Sequence, residues 1–278
     1  MRPTLLDVAA MALVVSTGLV AGSAPAQNAP ADPYAGMTRE EKGLAIAQEA
    51  DRRDFGFGDN SADLEMILTN RNGAVSRREL RMHTLEVADP ALGDKSKVIF
   101  DLPRDIANTS LLTYSRILEP DDQWLYLPRL KRVKRISSVN KSGPFMGSEF
   151  AYEDLSSAEV AKFSYEYLRD EPCGALVCYV VERTPLYEHS GYTSQVTWID
   201  QTEYRTWTIK YYDRKGALLK TLTASDFRLY LDQYWRPHDL FMDNHQTGKT
   251  TRLLWRKIDF RTGLSERDFT RASLRRAG

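Results

Sequence analysis

The strongest constraint in this chain is a two-residue alternation of apolar and polar side chains that recurs, segment after segment, between tight turns. Trp207, Ile209 and Tyr211 alternate with Thr206, Thr208 and Lys210, and Ala62, Leu64, Met66 and Leu68 with Asp63, Glu65 and Thr69. Residues two apart share one face of a strand, so each run is a strand with one face toward a core. Strand-like runs continue at 97–102, 110–118, 123–127, 131–136, 162–168, 176–183, 192–200, 205–212, 218–223, 226–231, 235–243 and 249–260. Asn72-Gly73 marks a hairpin, and Asp213 to Gly216 and the surroundings of Gly248 mark further turns. In 75–87 the parity changes, from Leu80 and Met82 to Leu85 and Val87, which predicts a bulge near His83. So many strands at short spacing predict a mainly β chain built on one large antiparallel sheet.

Helix is expected in one place. Thr38 followed by Glu41 is a capping box and opens a helix to about Arg53, with Leu44, Ala47, Ala50 and Ile46 as a modest apolar stripe. Gly56 and Gly58 end it. A short helical turn is expected near Ser265, before a final segment from Phe269 to Leu274.

The N-terminus reads as an export signal. Arg2 precedes the small and apolar residues 8–20, and Ala24-Pro25-Ala26 supplies a cleavage site, with Gln27 as first mature residue. The apolar run is short of the roughly 20 residues that a membrane-spanning helix needs. No cysteine near the cleavage site offers a lipidation signal. The organisation expected is therefore a signal peptide at 1–26, a flexible leader at 27–37 and one domain at 38–278, working outside the cytoplasm.

Two cysteines, Cys173 and Cys178, stand five positions apart in Pro172-Cys173-Gly174-Ala175-Leu176-Val177-Cys178, where Pro and Gly mark a turn between strand-like flanks. A structural disulfide suits an exported protein; two unrelated buried thiols are the other reading.

Chemistry is sparse. Lys plus Arg and Asp plus Glu each number 38, which gives no push toward nucleic acid. His83, His189, His238 and His245 lack metal-ligand spacing, and His238 and His245, beside Asp239 and Asp243, read as solvated turn residues. Ser148 lacks the Gly-x-Ser-x-Gly elbow. Neither a metal nor a cofactor is expected, and no enzymatic activity. The unusual stretch is Lys131, Arg132, Lys134, Arg135 and Lys141, followed by Pro144-Phe145-Met146. The cations suit either a solvated edge strand or a contact surface for an acidic partner or lipid head group. Phe145 and Met146 are candidates for an apolar lid.

Asp122-Gln123-Trp124-Leu125-Tyr126-Leu127-Pro128, the 131–136 segment, Gly147-Ser148-Glu149-Phe150 and Tyr152-Glu153-Asp154-Leu155 follow one another in order. Later come Trp198-Ile199-Asp200, Tyr211-Tyr212-Asp213-Arg214-Lys215-Gly216, Leu219-Lys220-Thr221-Leu222 and Asp268-Phe269-Thr270. In this order and spacing they resemble the outer-membrane lipoprotein-sorting-like family of LolA-like carriers, over roughly residues 38–275. The family's usual Asp after Gly-Ser is Glu149 here. The resemblance implies a half-open antiparallel β-barrel, capped by helices and loops around an apolar cavity. It also implies a monomeric periplasmic carrier of lipid or lipoprotein acyl chains, working with an RND-type inner-membrane exporter. The cavity candidates are Trp124, Tyr126, Trp198, Trp207, Ile209 and Tyr211. The alternative function is a cargo-free accessory subunit that docks on a membrane transporter through Lys131 to Arg135.

Overall fold

The computed structural model describes residues 32–89 and 92–276. The expected signal peptide and the first part of the leader lie outside the described residues. The described end of the leader is a turn, in which the Asp32 side chain accepts from the Tyr34 amide at 3.0 Å.

Helix α1 (Arg39–Asp54) starts where the capping box places it. Thr38 Oγ1 accepts from the Glu41 amide at 3.2 Å, and the Glu41 carboxylate accepts from the Thr38 amide at 2.8 Å. Two donors left open by the first helical turn are thereby satisfied.

The rest of the fold is one antiparallel sheet of thirteen strands. The first six are β1 (Asp59–Thr69), β2 (Val75–Leu85), β3 (Leu92–Leu102), β4 (Ser110–Arg116), β5 (Asp122–Leu127) and β6 (Arg132–Ile136). After a long connection come β7 (Phe163–Cys173), β8 (Leu176–Pro185), β9 (Tyr192–Asp200), β10 (Thr206–Asp213), β11 (Leu218–Tyr230), β12 (Tyr234–Asn244) and β13 (Lys249–Phe260). Each run of strands is a meander, and the two are joined where β13 pairs with β1. The spatial order therefore ends at β6 on one side and β7 on the other. Those edges do not pair with each other, so the barrel is half open.

Both faces of this sheet are covered in part, and that explains the parity change in β2. Leu80 and Met82 face the concave interior with Met66, Phe100, Leu111 and Leu253. Leu85 faces outward and packs with Leu112, Phe269 and Leu274. The outer cover is the C-terminal segment, whose Ser265 caps a 3₁₀ turn (Glu266–Phe269) by sharing its amide and hydroxyl with Asp268. The bulge expected near His83 is absent. β2 pairs with β1 in unbroken register from Asp59↔Leu85 to Thr69↔Val75, and its shift against β3 falls between Glu79 and Leu80.

Two further expectations are corrected. The segments 218–223 and 226–231 form one continuous β11, in which Asp226 takes a positive φ of 51°. His238 is no solvated turn residue: it lies buried within β12, with Nδ1 2.9 Å from the Trp255 carbonyl and Nε2 2.7 Å from the Tyr230 hydroxyl. Cys173 and Cys178 form a disulfide across the β7–β8 hairpin, their Cα atoms 5.8 Å apart.

α1 lies against β7, and Gly43 sets how close it comes. A Cβ at Gly43 would sit 2.8 Å from the Tyr167 amide nitrogen and 2.9 Å from the Glu166 carbonyl carbon. The obstacle is backbone, which cannot rotate away. Gly43→Ala is therefore expected to destabilise the protein by about 1–3 kcal/mol despite alanine's better helix propensity. Urea denaturation checks this, with the exposed Gln48→Ala as the control expected to leave the midpoint unchanged or raised.

Candidate functional site

The connection between β6 and β7, residues 137–162, crosses the concave side of the sheet instead of skirting it. Its apolar anchor is Phe145, 1 % exposed, whose ring lies 5.6 Å from Phe100 and 5.5 Å from Tyr152. Phe150 packs into the same core. Polar anchors come from the opposite half of the barrel. Lys220 Nζ donates to Asp154 Oδ2 at 2.6 Å and to the Glu149 carbonyl at 2.8 Å. Asp154 also accepts from the Tyr192 hydroxyl at 2.8 Å and the Ala151 amide at 2.7 Å. Glu153 accepts from the Gly191 amide, the Ser190 hydroxyl and the Tyr187 hydroxyl. Burial, and then neighbouring Asp154, push its carboxyl above the usual range. Glu149 accepts from the Asn244 amide at 2.6 Å. Residues 145–155 thus form a pinned plug.

The plug fills one part of the interior and leaves another open. A cavity of about 480 Å³ lies between α1 and the concave face of β8–β12. Small side chains on the helix, Ala47 and Ala50, face Val181, Ile199, Ile209, Leu222 and Leu240 on the sheet. A second cavity of about 210 Å³ shares Ala158, Arg183, Ile209 and Leu222 with the first. A third, of about 270 Å³, lies beneath Phe145 and Phe150 and shares Asp154, Ser156 and Ser157 with the second. Open space therefore runs along the inside of the sheet.

Its lining is not wholly apolar. Asp94 lines the third cavity, and behind the lining Glu159 is pushed up to about 7, first by burial and then by Asp94. Asp94 is pushed up to about 6, mainly by burial, although it accepts from the Val87 amide at 3.1 Å. Gly93 makes room for Glu159, since a Cβ there would lie 2.5 Å from Glu159 Oε1. Lys162 pairs with Asp121 in the second cavity. Among the described residues no group of three or more His, Cys, Asp or Glu could hold a metal ion.

Of the six cavity candidates, the structure brings two together at the open space. Ile209 lines the first and second cavities, and Tyr211 the second. Trp124 and Tyr126 face the other way, under the C-terminal segment with Leu112 and Phe269. Trp198 packs on the outer face with Cys178, Val180 and Val196. Trp207 lines none of these three cavities and packs against the same outer cluster as Trp198, its ring 4.7 Å from Phe227 and its indole N–H donating to Asp200 at 3.1 Å. Strand alternation could not separate these sets, because apolar neighbours cover both faces.

The lid candidates are part of the plug. Phe145 is core, and the Met146 carbonyl accepts from Arg78 at 2.7 Å. Lys131, Arg132, Lys134 and Arg135 are exposed at the free edge, in β6 and the turn before it. Arg132 and Lys134 stand opposite Leu127 and Leu125, whereas Arg135 stands opposite Trp124 and pairs with Asp122 at 2.6 Å. The four cations therefore decorate both faces of one edge. Ser148 is buried, and its hydroxyl donates to the Phe145 carbonyl at 2.7 Å. The helix side of the cavity escaped sequence reasoning; its signal is the small pair Ala47 and Ala50 at helical spacing.

A half-open antiparallel barrel with a helix over its concave face is the architecture of LolA-like proteins. An outer-membrane lipoprotein-sorting protein domain from Vibrio parahaemolyticus is 53% identical, covering 85% of this chain and 99% of its own, with a TM-score of 0.83. A DUF1329 family protein from Desulfovibrio piger is 27% identical over 86% of this chain and 100% of its own, with a TM-score of 0.81. A LolA superfamily protein from Nitrosomonas europaea shares the fold at 21% identity, over 83% of this chain and 98% of its own, with a TM-score of 0.66. A family model described as "Uncharacterized protein" matches residues 93–276. No curated protein matches the chain. The chain belongs to the outer-membrane lipoprotein-sorting family and has the LolA-like fold. That fold supports a periplasmic carrier-type role. Among the described residues no helix is long and apolar enough to cross a membrane.

Two predictions follow from the plug and from the buried acids Glu159 and Asp94. The side chains of Lys220 and Asp154 are 4 % and 5 % exposed. Lys220→Met leaves a buried carboxylate uncompensated and is expected to cost about 3–5 kcal/mol, whereas Lys220→Met with Asp154→Leu recovers part of that loss. Chemical denaturation of both variants checks it. For Glu159 and Asp94, a raised folded-state pKa means that the folded protein holds protons the unfolded chain has released. Their contribution is present at low pH and is lost as pH rises from about 4 through about 7. Thermal melting should show Glu159→Gln raising Tm at pH 8 and leaving it nearly unchanged at pH 4.5.

Proposed function

We propose that the protein is a non-enzymatic periplasmic carrier that holds the acyl chains of lipids or lipoproteins inside the half-open barrel. The observation that carries this reading is the cavity of about 480 Å³ between α1 and the concave face of β8–β12. That volume lies in the range of small-molecule sites, and the aliphatic wall of Val181, Ile199, Ile209, Leu222 and Leu240 suits a chain whose burial contributes about 0.8 kcal/mol per methylene. Family membership and the expected export signal support the same reading. An RND-type inner-membrane exporter is the proposed donor or receiver. Catalysis is no part of the proposal: the Ser148 hydroxyl is committed to the plug's own backbone.

One observation favours a second reading, a cargo-free accessory subunit. The exposed cations Lys131, Arg132, Lys134 and Arg135 stand on an unpaired edge strand, a surface suited to an acidic partner on a transporter.

Native mass spectrometry and lipid extraction of protein purified from the periplasm separate the two. The carrier reading expects co-purifying acyl lipid, reduced roughly tenfold or more by Leu222→Asp, which places a charge in the apolar lining. Val177→Asp, exposed on the β7–β8 hairpin, should leave the lipid content unchanged. Protein that is always empty, yet binds a transporter ectodomain through Lys131 to Arg135, would overturn the carrier reading.

A further inference from the structure

Four arginines line the first cavity, and three of them have carboxylate partners. Arg53 pairs with Glu49 at 2.7 Å, Arg205 with Asp200 at 2.8 Å, and Arg236 with Asp54. Arg183 differs. It lies on β8 between Tyr165 of β7 and Gln195 of β9, and it lines both the first and the second cavity. Its Nε donates to Gln195 Oε1 at 2.7 Å, and its guanidinium lies 4.7 Å from the Phe163 ring centroid. Among the described residues no carboxylate lies within ion-pairing distance of it. One edge of the fork is fixed by Gln195 and one face is covered by Phe163, while among the described residues no acceptor meets the two Nη groups.

A half-buried guanidinium without a counter-ion is costly. Inside a cavity it becomes a site for an anion. The fork geometry matches the two oxygens of a carboxylate or phosphate, and such charge-assisted pairs are stronger than neutral hydrogen bonds. Ile209 and Leu222, which line the same two cavities, continue the site as an apolar wall. Asp51, Asp54 and Glu203 also line the first cavity. Asp54 is met by Arg236 and Glu203 by Arg53, and burial raises the pKa of Asp51.

We propose that Arg183 is an anion-binding residue that selects acyl ligands with an acidic head, a carboxylate or a phosphate, seated where the two cavities join. This rests on the carrier reading and deepens it, by naming the class of cargo that the open lumen takes.

The test uses three amphiphiles with one tail and different heads: palmitate, hexadecyl phosphate and hexadecanol. Their binding to the purified mature protein is measured by displacement of a fluorescent apolar probe. At least one anionic amphiphile should bind about tenfold or more tightly than hexadecanol, and Arg183→Gln should abolish that preference without weakening hexadecanol. Arg183→Lys, which keeps the charge but not the fork, should retain part of the preference and also serves as a check on folding. Whichever anion shows the preference identifies the head group. Equal binding of all three, or equal weakening of all three by Arg183→Gln, overturns the assignment of Arg183 and leaves the carrier reading intact. Failure of every amphiphile to bind the unaltered protein overturns the carrier reading, and this proposal with it.

Discussion

The buried contact between Lys220 and Asp154 holds the interior in its present form. A lysine on β11 reaches across the concave side and fixes a carboxylate from the opposite connection, with the Tyr192 hydroxyl and the Ala151 amide filling the remaining acceptor positions. Both charges are out of water, so the pair is a demanding one: it holds only while every partner is in place. What it secures is the direction of residues 145–155. That segment is pulled inside the barrel, where Phe145 and Phe150 join Phe100 and Leu253 in the core. The motif that carried the family resemblance is in this respect an internal strut.

The strut also explains where the free space is. A sheet of thirteen strands encloses more volume than its own side chains fill. One part is taken by the plug, and α1 covers another at a distance set by Gly43 against the backbone of β7. Between them Ala47 and Ala50 on the helix face an aliphatic wall of the sheet, charged side chains complete the lining, and the cavities remain. A carrier needs this combination of a stiff wall with an unfilled interior, since a close-packed core offers no room for cargo.

Much of the fold was legible in the sequence for local reasons. The capping box at Thr38 and Glu41, the clean alternation in β1 and β10 and the turn glycines each act over a few residues, and the structure follows them. The sequence reads as two strands on either side of Ala224-Ser225-Asp226, because Ser and Asp are turn residues, whereas the strand runs on through a positive φ at Asp226. The site was less legible. Ile209 and Tyr211 lie at the open space, whereas Trp124, Tyr126, Trp198 and Trp207, also large residues on alternating strands, pack in outer-face clusters under the C-terminal segment or beside the disulfide. Arg183 gave no signal at all, because a charged residue in a strand ordinarily points to solvent.

By itself the sequence determined that the chain would be an antiparallel meander with one capped helix, since periodicity, capping and turn chemistry are short-range. Only the tertiary structure decided which face of each strand is inside. Alternation names two faces without saying which is concave, and here the C-terminal segment covers part of the outer one with Phe269 and Leu274. The open edges at β6 and β7, the plug drawn between them by Lys220, and the unpaired guanidinium of Arg183 all depend on contacts between residues far apart in the chain. No local pattern encodes such contacts, so the cavity and its charge emerge only when the sheet has curved around them.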